Sequence, residues 1–198
     1  MLIAGTDEAG RGPLAGPVVA ATVILGDISI KGLNDSKKLT AKQRENLYDA
    51  IMTQAKEVSI AKASVEEIDS INILQASLLA MKRTIIALKH PPHKVYVDGT
   101  YCPQIPYPSE AVIKGDSKIP EIMAASIIAK VTRDREMIAL NLRYPGYDLA
   151  KNKGYGTKAH LNALLTRGVT PIHRKTFGPV RHAAYDLFAE SPEPQDKP

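Results

Sequence analysis

The 198-residue chain has a single cysteine, Cys102. An internal disulfide is therefore excluded, and one thiol fits a reducing compartment. Long apolar runs are also missing, with nothing near the roughly eighteen consecutive apolar residues that a membrane-spanning helix needs. Residues 1–25 lack a basic start, an unbroken apolar segment and a small-residue cleavage site, so the expected location is the cytoplasm. No histidine or cysteine cluster has zinc-ligand spacing. A Gly-Lys-Ser/Thr phosphate loop and a serine in nucleophile-elbow context are absent too. There is no internal repeat and no low-complexity domain.

What is present is an ordinary globular composition, 44% apolar and 24% charged, long enough for one domain with a sizeable core. The formal charge is +5 and the pI near 9.2, a balance that favours a polyanionic partner. If several acids are sequestered around metal ions, the remaining protein is more basic still. A metal-dependent nuclease would need such a layout, with cations along the phosphate backbone and carboxylates at the scissile bond.

The stretch Thr6 to Pro17, TDEAGRGPLAGP, organises the rest. It lies between two apolar runs, Leu2–Ala4 and Val18–Leu25, so adjacent carboxylates sit where one strand hands over to the next. Successive strand side chains point to opposite faces. Asp7 and Glu8 can serve one ligand only if the strand ends there, or if one of them also offers its carbonyl. The glycines let the backbone come close to something bulky. Gly10-Arg11-Gly12 reads as a surface where backbone N–H groups and a guanidinium meet an anion.

Thr40 to Gln43 and Ser64 to Glu67 are capping boxes. The first opens a helix with Leu47 and Ile51 on one face, and Val58–Ala63 then alternates as a strand. The second opens a short helical segment, followed by a longer helix from about Asn72 to Lys89. Leu74, Leu78, Met81, Ile85 and Leu88 form its core-facing stripe, and His90-Pro91-Pro92 ends it. Lys94–Asp98 and Glu110–Asp116 read as strands, each closing on a glycine and a carboxylate. The helix between strands implies parallel pairing, and in such sheets ligands collect at strand carboxyl ends.

A helix from Pro120 to about Leu142 is apolar nearly all round over Ile122–Ala129, hence buried. Its later part, Lys130–Arg135, is expected at the surface. Asp134 there reads as a surface acid with flanking arginines as ion-pair partners, or as a fifth carboxylate of the site. Asn152–Thr157 is a basic, Gly-flanked tyrosine loop before a helix from Lys158 to Arg167. His173–Gly178 is a second basic loop before a last helix, about Val180 to Ala189. The expected organisation is a core over 1–143, a helical C-terminal region over 144–190 and a disordered tail over 191–198. His173 and His182 are assigned structural roles.

Four carboxylates stand out by position: Asp7, Glu8, Asp98 and Asp116. Taken singly, Asp98 and Asp116 read as strand-end turn residues. Together they make an all-oxygen site suited to Mg²⁺ or Mn²⁺, and two such ions about 4 Å apart support in-line phosphodiester displacement.

Seven blocks carry a resemblance: DEAGRGPLAG at 7–16, LNDSKKL at 33–39, VDG at 97–99, KGDS at 114–117, AASIIAKVTRD at 124–134, GYGT at 154–157 and FGPV at 177–180. In this order they closely resemble the bacterial ribonuclease HII family, over residues 3 to about 188. The resemblance implies an α/β, ribonuclease H-like fold: a mixed five-stranded sheet flanked by helices, with a helical C-terminal extension that helps hold a duplex. It implies hydrolysis of RNA in RNA/DNA hybrids and nicking 5′ to a ribonucleotide embedded in duplex DNA, leaving a 3′-hydroxyl and a 5′-phosphate. It also implies two divalent ions, Mg²⁺ or Mn²⁺, on Asp7, Glu8, Asp98 and Asp116. Gly10, Arg11 and Gly12 would inspect the ribose 2′-hydroxyl through backbone contacts, with Tyr155 packing on the adjacent deoxyribose. Lys37, Lys38, Lys153, Arg174 and Lys175 are candidates for phosphate contacts. The expected partner is nucleic acid, bound by a monomer, with no membrane. A structure-selective junction resolvase and a non-catalytic hybrid-binding module are the alternatives.

Overall fold

The computed structural model of the protein describes residues 1–189, so the tail expected to be disordered, 191–198, lies outside the described residues. Strand β1 (Ile3–Ala9) leads to β2 (Val18–Ile24), helix α1 (Ala41–Gln54), β3 (Glu57–Ala63) and a long helix, α2 (Val65–Ile86). Then come β4 (Lys94–Asp98), β5 (Ser109–Val112), α3 (Pro120–Arg143), α4 (Leu149–Asn152), α5 (Lys158–Arg167) and α6 (Gly178–Ala189). The strands form one mixed sheet in the order β3-β2-β1-β4-β5. β2 is antiparallel to both β1 and β3, while β4 runs parallel to β1 and to β5. The mixed five-stranded sheet with flanking helices agrees with expectation.

Every residue of β2 is buried, because the sheet is covered on both faces. Val18, Ala20 and Ile24 join Ala4, Val95 and Val97 against Ala76, Ala80, Met81 and Ile85 of α2. Ala21 and Val23 face Ala124, Ala125, Ile127 and Ile128 of α3. The polar exception, Thr22, is satisfied by the Thr84 hydroxyl at 2.6 Å. Helix α3 lies directly on β1 at Gly5, where a Cβ would come within 2.3 Å of the Glu121 carbonyl carbon. That close approach sets the start of α3 against the central strand.

Both capping boxes form, at Thr40/Gln43 and Ser64/Glu67. The two helical segments expected between 64 and 89 are both present within α2, divided at Asn72, whose φ of 67° and ψ of 165° are not helical. The Asn72 Oδ1 accepts the N–H groups of Leu74 and Gln75, restarting the helix. It stops at Ile86 rather than Lys89, because Glu57 captures the N–H groups of Lys89 and His90. The strand expected to reach Asp116 stops at Val112: Lys114 turns left-handed, with φ 56°, and Gly115–Ser117 form a 3-10 turn. The single-turn α4 was not anticipated.

The C-terminal helices are joined to the sheet through Leu14–Gly16. Leu14 N–H donates to the Gly154 carbonyl, Gly16 N–H to that of Ile172, and Arg174 N–H to that of Leu14, each at 2.8 Å. Leu14, Met137, Tyr147, Leu149, Leu164 and Val180 form a third apolar cluster beside this seam. His160 and His173 are fully buried next to it. One consistent proton assignment has His160 Nδ1 donate to the Tyr155 carbonyl (2.9 Å) and His173 Nε2 donate to His160 Nε2 (3.1 Å). His173 Nδ1 then accepts from Thr170 Oγ1 at 2.8 Å. Burial, reinforced by His160, pushes the His173 imidazole down to about 4. The unfolded chain takes up a proton near 6.5 that folded His173 refuses, so stability present above pH 6.5 is lost as the pH falls towards 4, by about 3 kcal/mol. Thermal unfolding across that window is expected to show a shallower acid-side fall in Tm for His173→Asn than for the wild type; equal slopes would place the loss elsewhere.

Candidate active site

The parallel register of β1 and β4 pairs Thr6 with Val97, so the next step of the ladder sets Asp7 abreast of Asp98, the last residue of β4. Asp7 pairs across β2 with Ala21, on the α3 face, and Glu8 with Ala20, on the α2 face. Opposite faces do not separate their function, because β1 ends one residue later at Ala9 and both side chains reach the same opening. Asp116 arrives from the 3-10 turn after β5. Its N–H (3.3 Å) and that of Gly115 (2.7 Å) donate to Asp98 Oδ1, which ties that turn to the end of β4.

Withdrawal from water and mutual repulsion shape the electrostatics here. Asp7, 6% exposed, is raised well above the ordinary carboxylate value, by burial first and then by Glu8, Asp98 and Asp116. Glu8 is raised by burial, with Asp98 adding to it and Arg11 opposing. Asp98 is raised by burial, aided by Asp116 and opposed by its two backbone donors. Two cations lean on this cup: Lys37 Nζ donates to Asp116 Oδ2 at 3.0 Å, and Arg11 Nη1 lies 3.4 Å from Glu8 Oε1. The bond to Asp116 raises the Lys37 pKa. Lys37 is aimed there by its own turn, which Asp35 caps and Arg44 pins through the Ser36 and Leu39 carbonyls.

One cavity of about 360 Å³ joins this cup to the glycine loop. Its walls include Asp7, Glu8 and Asp98 together with Gly10, Arg11, Gly12 and Tyr155, but not Asp116. Tyr155 is 48% exposed, while its backbone is held by Asn152 and His160. Lys38 and Lys175 are exposed, and Lys153 is half-buried with Nζ on the Ala150 carbonyl at 2.5 Å.

Arg174 corrects the sequence reading. It is fully buried, not a surface phosphate contact. Its guanidinium donates to the carbonyls of Gly10 (2.6 Å), Arg11 (2.8 Å) and Gly16 (2.9 and 3.0 Å), so its donors are spent inside the protein. The expected surface stretch Lys130–Arg135 holds a second correction: Arg133 is 1% exposed and donates to the carbonyls of Ala15, Pro17 and Lys153. Asp134 is neither a wall of the cavity nor a partner of the arginines; it bonds Lys130 one turn back at 2.8 Å. Sequence reasoning missed Ser126, Lys130 and Arg133 as walls of the cavity. Their spacing of four and three residues was the available signal, since it places all three on one face of α3.

Comparison with known proteins bears on this geometry. A family model described as Ribonuclease HII matches residues 4–180. The chain is similar to Ribonuclease HII of Coxiella burnetii, 58% identical over 182 residues, covering 91% of this chain and 90% of the relative. Ribonuclease HII of Delftia acidovorans is 59% identical over 182 residues, 91% of this chain and 77% of the relative. Among solved structures, ribonuclease H2 from Pyrococcus horikoshii OT3 superposes with a TM-score of 0.80 at 29% identity, covering 95% of this chain and 99% of that one. Neither the junction resolvase nor the non-catalytic module survives this match. Sheet topology and sequence relatives agree: the chain belongs to the ribonuclease HII family, with the ribonuclease H-like fold, and is an endonuclease acting on the RNA of RNA/DNA hybrids.

Proposed function

We propose that the enzyme also nicks duplex DNA on the 5′ side of a single embedded ribonucleotide, leaving a 3′-hydroxyl and a 5′-phosphate, and that it works with two divalent ions, Mg²⁺ or Mn²⁺. The observation that supports this most directly is the shared cavity, which a group of acids and a glycine-backbone surface line together. A 2′-hydroxyl both donates and accepts, and it is what separates RNA from DNA at one position. Backbone at Gly10, Arg11 and Gly12 can approach it without a side chain intervening. Tyr155 offers its exposed face to the neighbouring deoxyribose.

The donor set fits hard cations, being all carboxylate oxygen. Among the described residues no three histidine, cysteine, aspartate or glutamate side chains close into a cage for a metal. Mg²⁺ commonly takes only one or two carboxylates and completes its shell with water and substrate phosphate, so Asp7, Glu8, Asp98 and Asp116 would hold two ions between them. Bound there, the ions would supply a Lewis acid and an activated water. The protein's own residues orient and neutralise: Lys37 faces the cup, and Lys38, Lys153 and Lys175 serve as phosphate contacts. The helical region 144–190 steadies the duplex, which a monomer grips alone in the cytoplasm.

Three outcomes follow. Asp98→Asn keeps the oxygen that accepts from Gly115 and Asp116 but loses the charge, so cleavage is expected to fall by roughly a thousandfold or more while gel-shift affinity for a ribonucleotide-containing duplex stays close to wild type. Unchanged turnover would sink the metal assignment. For Asp7 the folded carboxyl keeps its proton to higher pH than the unfolded one, so stability declines as the pH rises above about 3.8 and its charge burdens the fold at neutrality. In metal-free buffer Asp7→Asn should therefore melt above wild type, and Mn²⁺ should raise the Tm of wild type by several degrees and that of the variant far less. Lastly, Tyr155→Ala should slow nicking at a single ribonucleotide about tenfold more than cleavage of a long hybrid, which offers many registers. Equal losses on the two substrates would count against a junction-reading role.

A further inference from the structure

The loop that faces the ribose is shaped from beneath by two buried arginines. Arg174 takes the carbonyls of Gly10, Arg11 and Gly16, and Arg133 takes those of Ala15 and Pro17. Arg133 also takes the Lys153 carbonyl at 3.0 Å, which couples the glycine loop to the loop that carries Tyr155. Gly10 has φ of 98° and lies so close over Arg133 that a Cβ would come within 1.9 Å of its Nε. The carbonyls of Gly10 and Arg11 thus turn inward. The N–H groups of Gly10, Arg11 and Gly12 donate to no group among the described residues. Neither arginine has an ion-pair partner among the described residues, so their charge is met chiefly by carbonyl dipoles, with the Phe177 ring 5.1 Å from the Arg174 guanidinium. Burial lowers both pKa values, that of Arg174 to about 9 with Arg133 adding to it, which leaves Arg174 charged at neutral pH.

We infer that Arg133 and Arg174 are positioning residues for sugar discrimination: by holding the loop carbonyls inward, they present the amides of Gly10, Arg11 and Gly12 to the ribose at a set distance from Tyr155. Lysine is not a substitute, because a point charge with three rotating donors cannot hold several carbonyls in one plane as the guanidinium fork does. The inference rests on the proposed reading of the glycine loop as the ribose contact.

The test compares cleavage of a hybrid bearing a 2′-hydroxyl with one bearing a 2′-fluorine at the scissile nucleotide, which is close in size but a far poorer acceptor for the loop N–H groups and carries no donor of its own. The ratio of the two kcat/KM values is independent of how much protein is folded. Arg174→Lys and Arg133→Lys are each expected to lower that ratio about tenfold, while the Mn²⁺-induced rise in Tm stays at the wild-type value because the acid cup is untouched. Gly12→Pro removes a loop amide directly and separates the two ideas. A lowered ratio in Gly12→Pro with wild-type ratios in both arginine variants would overturn the positioning role alone. Wild-type ratios in all three would overturn the loop reading itself. If Arg174→Lys fails to fold, Arg133→Lys carries the measurement.

Discussion

Carboxylates held out of water at the ends of adjacent strands repel one another, and much of the surrounding structure answers that repulsion. Asp7, Glu8 and Asp98 all hold protons more tightly than ordinary acids, chiefly because burial penalises their charged forms. Partial relief comes from Lys37 on Asp116, Arg11 near Glu8 and the two N–H groups on Asp98 Oδ1. None of these is a full counter-ion for the group. A site that is electrostatically unfinished in the protein alone is the physical basis for the proposal that divalent cations bind there.

The second organising feature is the segment from Gly10 to Pro17, which leaves the sheet, crosses under the tyrosine loop and returns as β2. It has few side chains of its own with which to pack. Its order comes from outside, through Arg133 on α3 and Arg174 after α5, residues far apart in the chain that converge on its carbonyls. The His160–His173 pair supports the opposite wall by holding the Tyr155 carbonyl. Buried groups therefore tie together the two loops that are proposed to contact nucleic acid.

How much was legible beforehand varied with the range of the interaction. Capping boxes at Thr40 and Ser64, Met81 and Ile85 of the expected stripe, and the buried first half of α3 depend on residues three or four apart, and the structure has them, whereas Leu74 and Leu78 of that stripe are only partly buried. The left-handed turn at Lys114 and the capture of the Lys89 and His90 N–H groups by Glu57 depend on distant partners. Each moved an element boundary by a few residues.

The site shows the same division. Local sequence alone determined which acids lie at or near strand ends, which glycines thin the backbone and which tyrosine sits in a glycine turn, because those properties reside in consecutive residues. Only the tertiary structure decided that Asp7 and Asp98 stand side by side, since parallel pairing joins strands some ninety residues apart. It also decided that Arg174 turns inward. A guanidinium in a basic loop looks solvated until the carbonyls that claim it, over 150 residues away, are brought within reach.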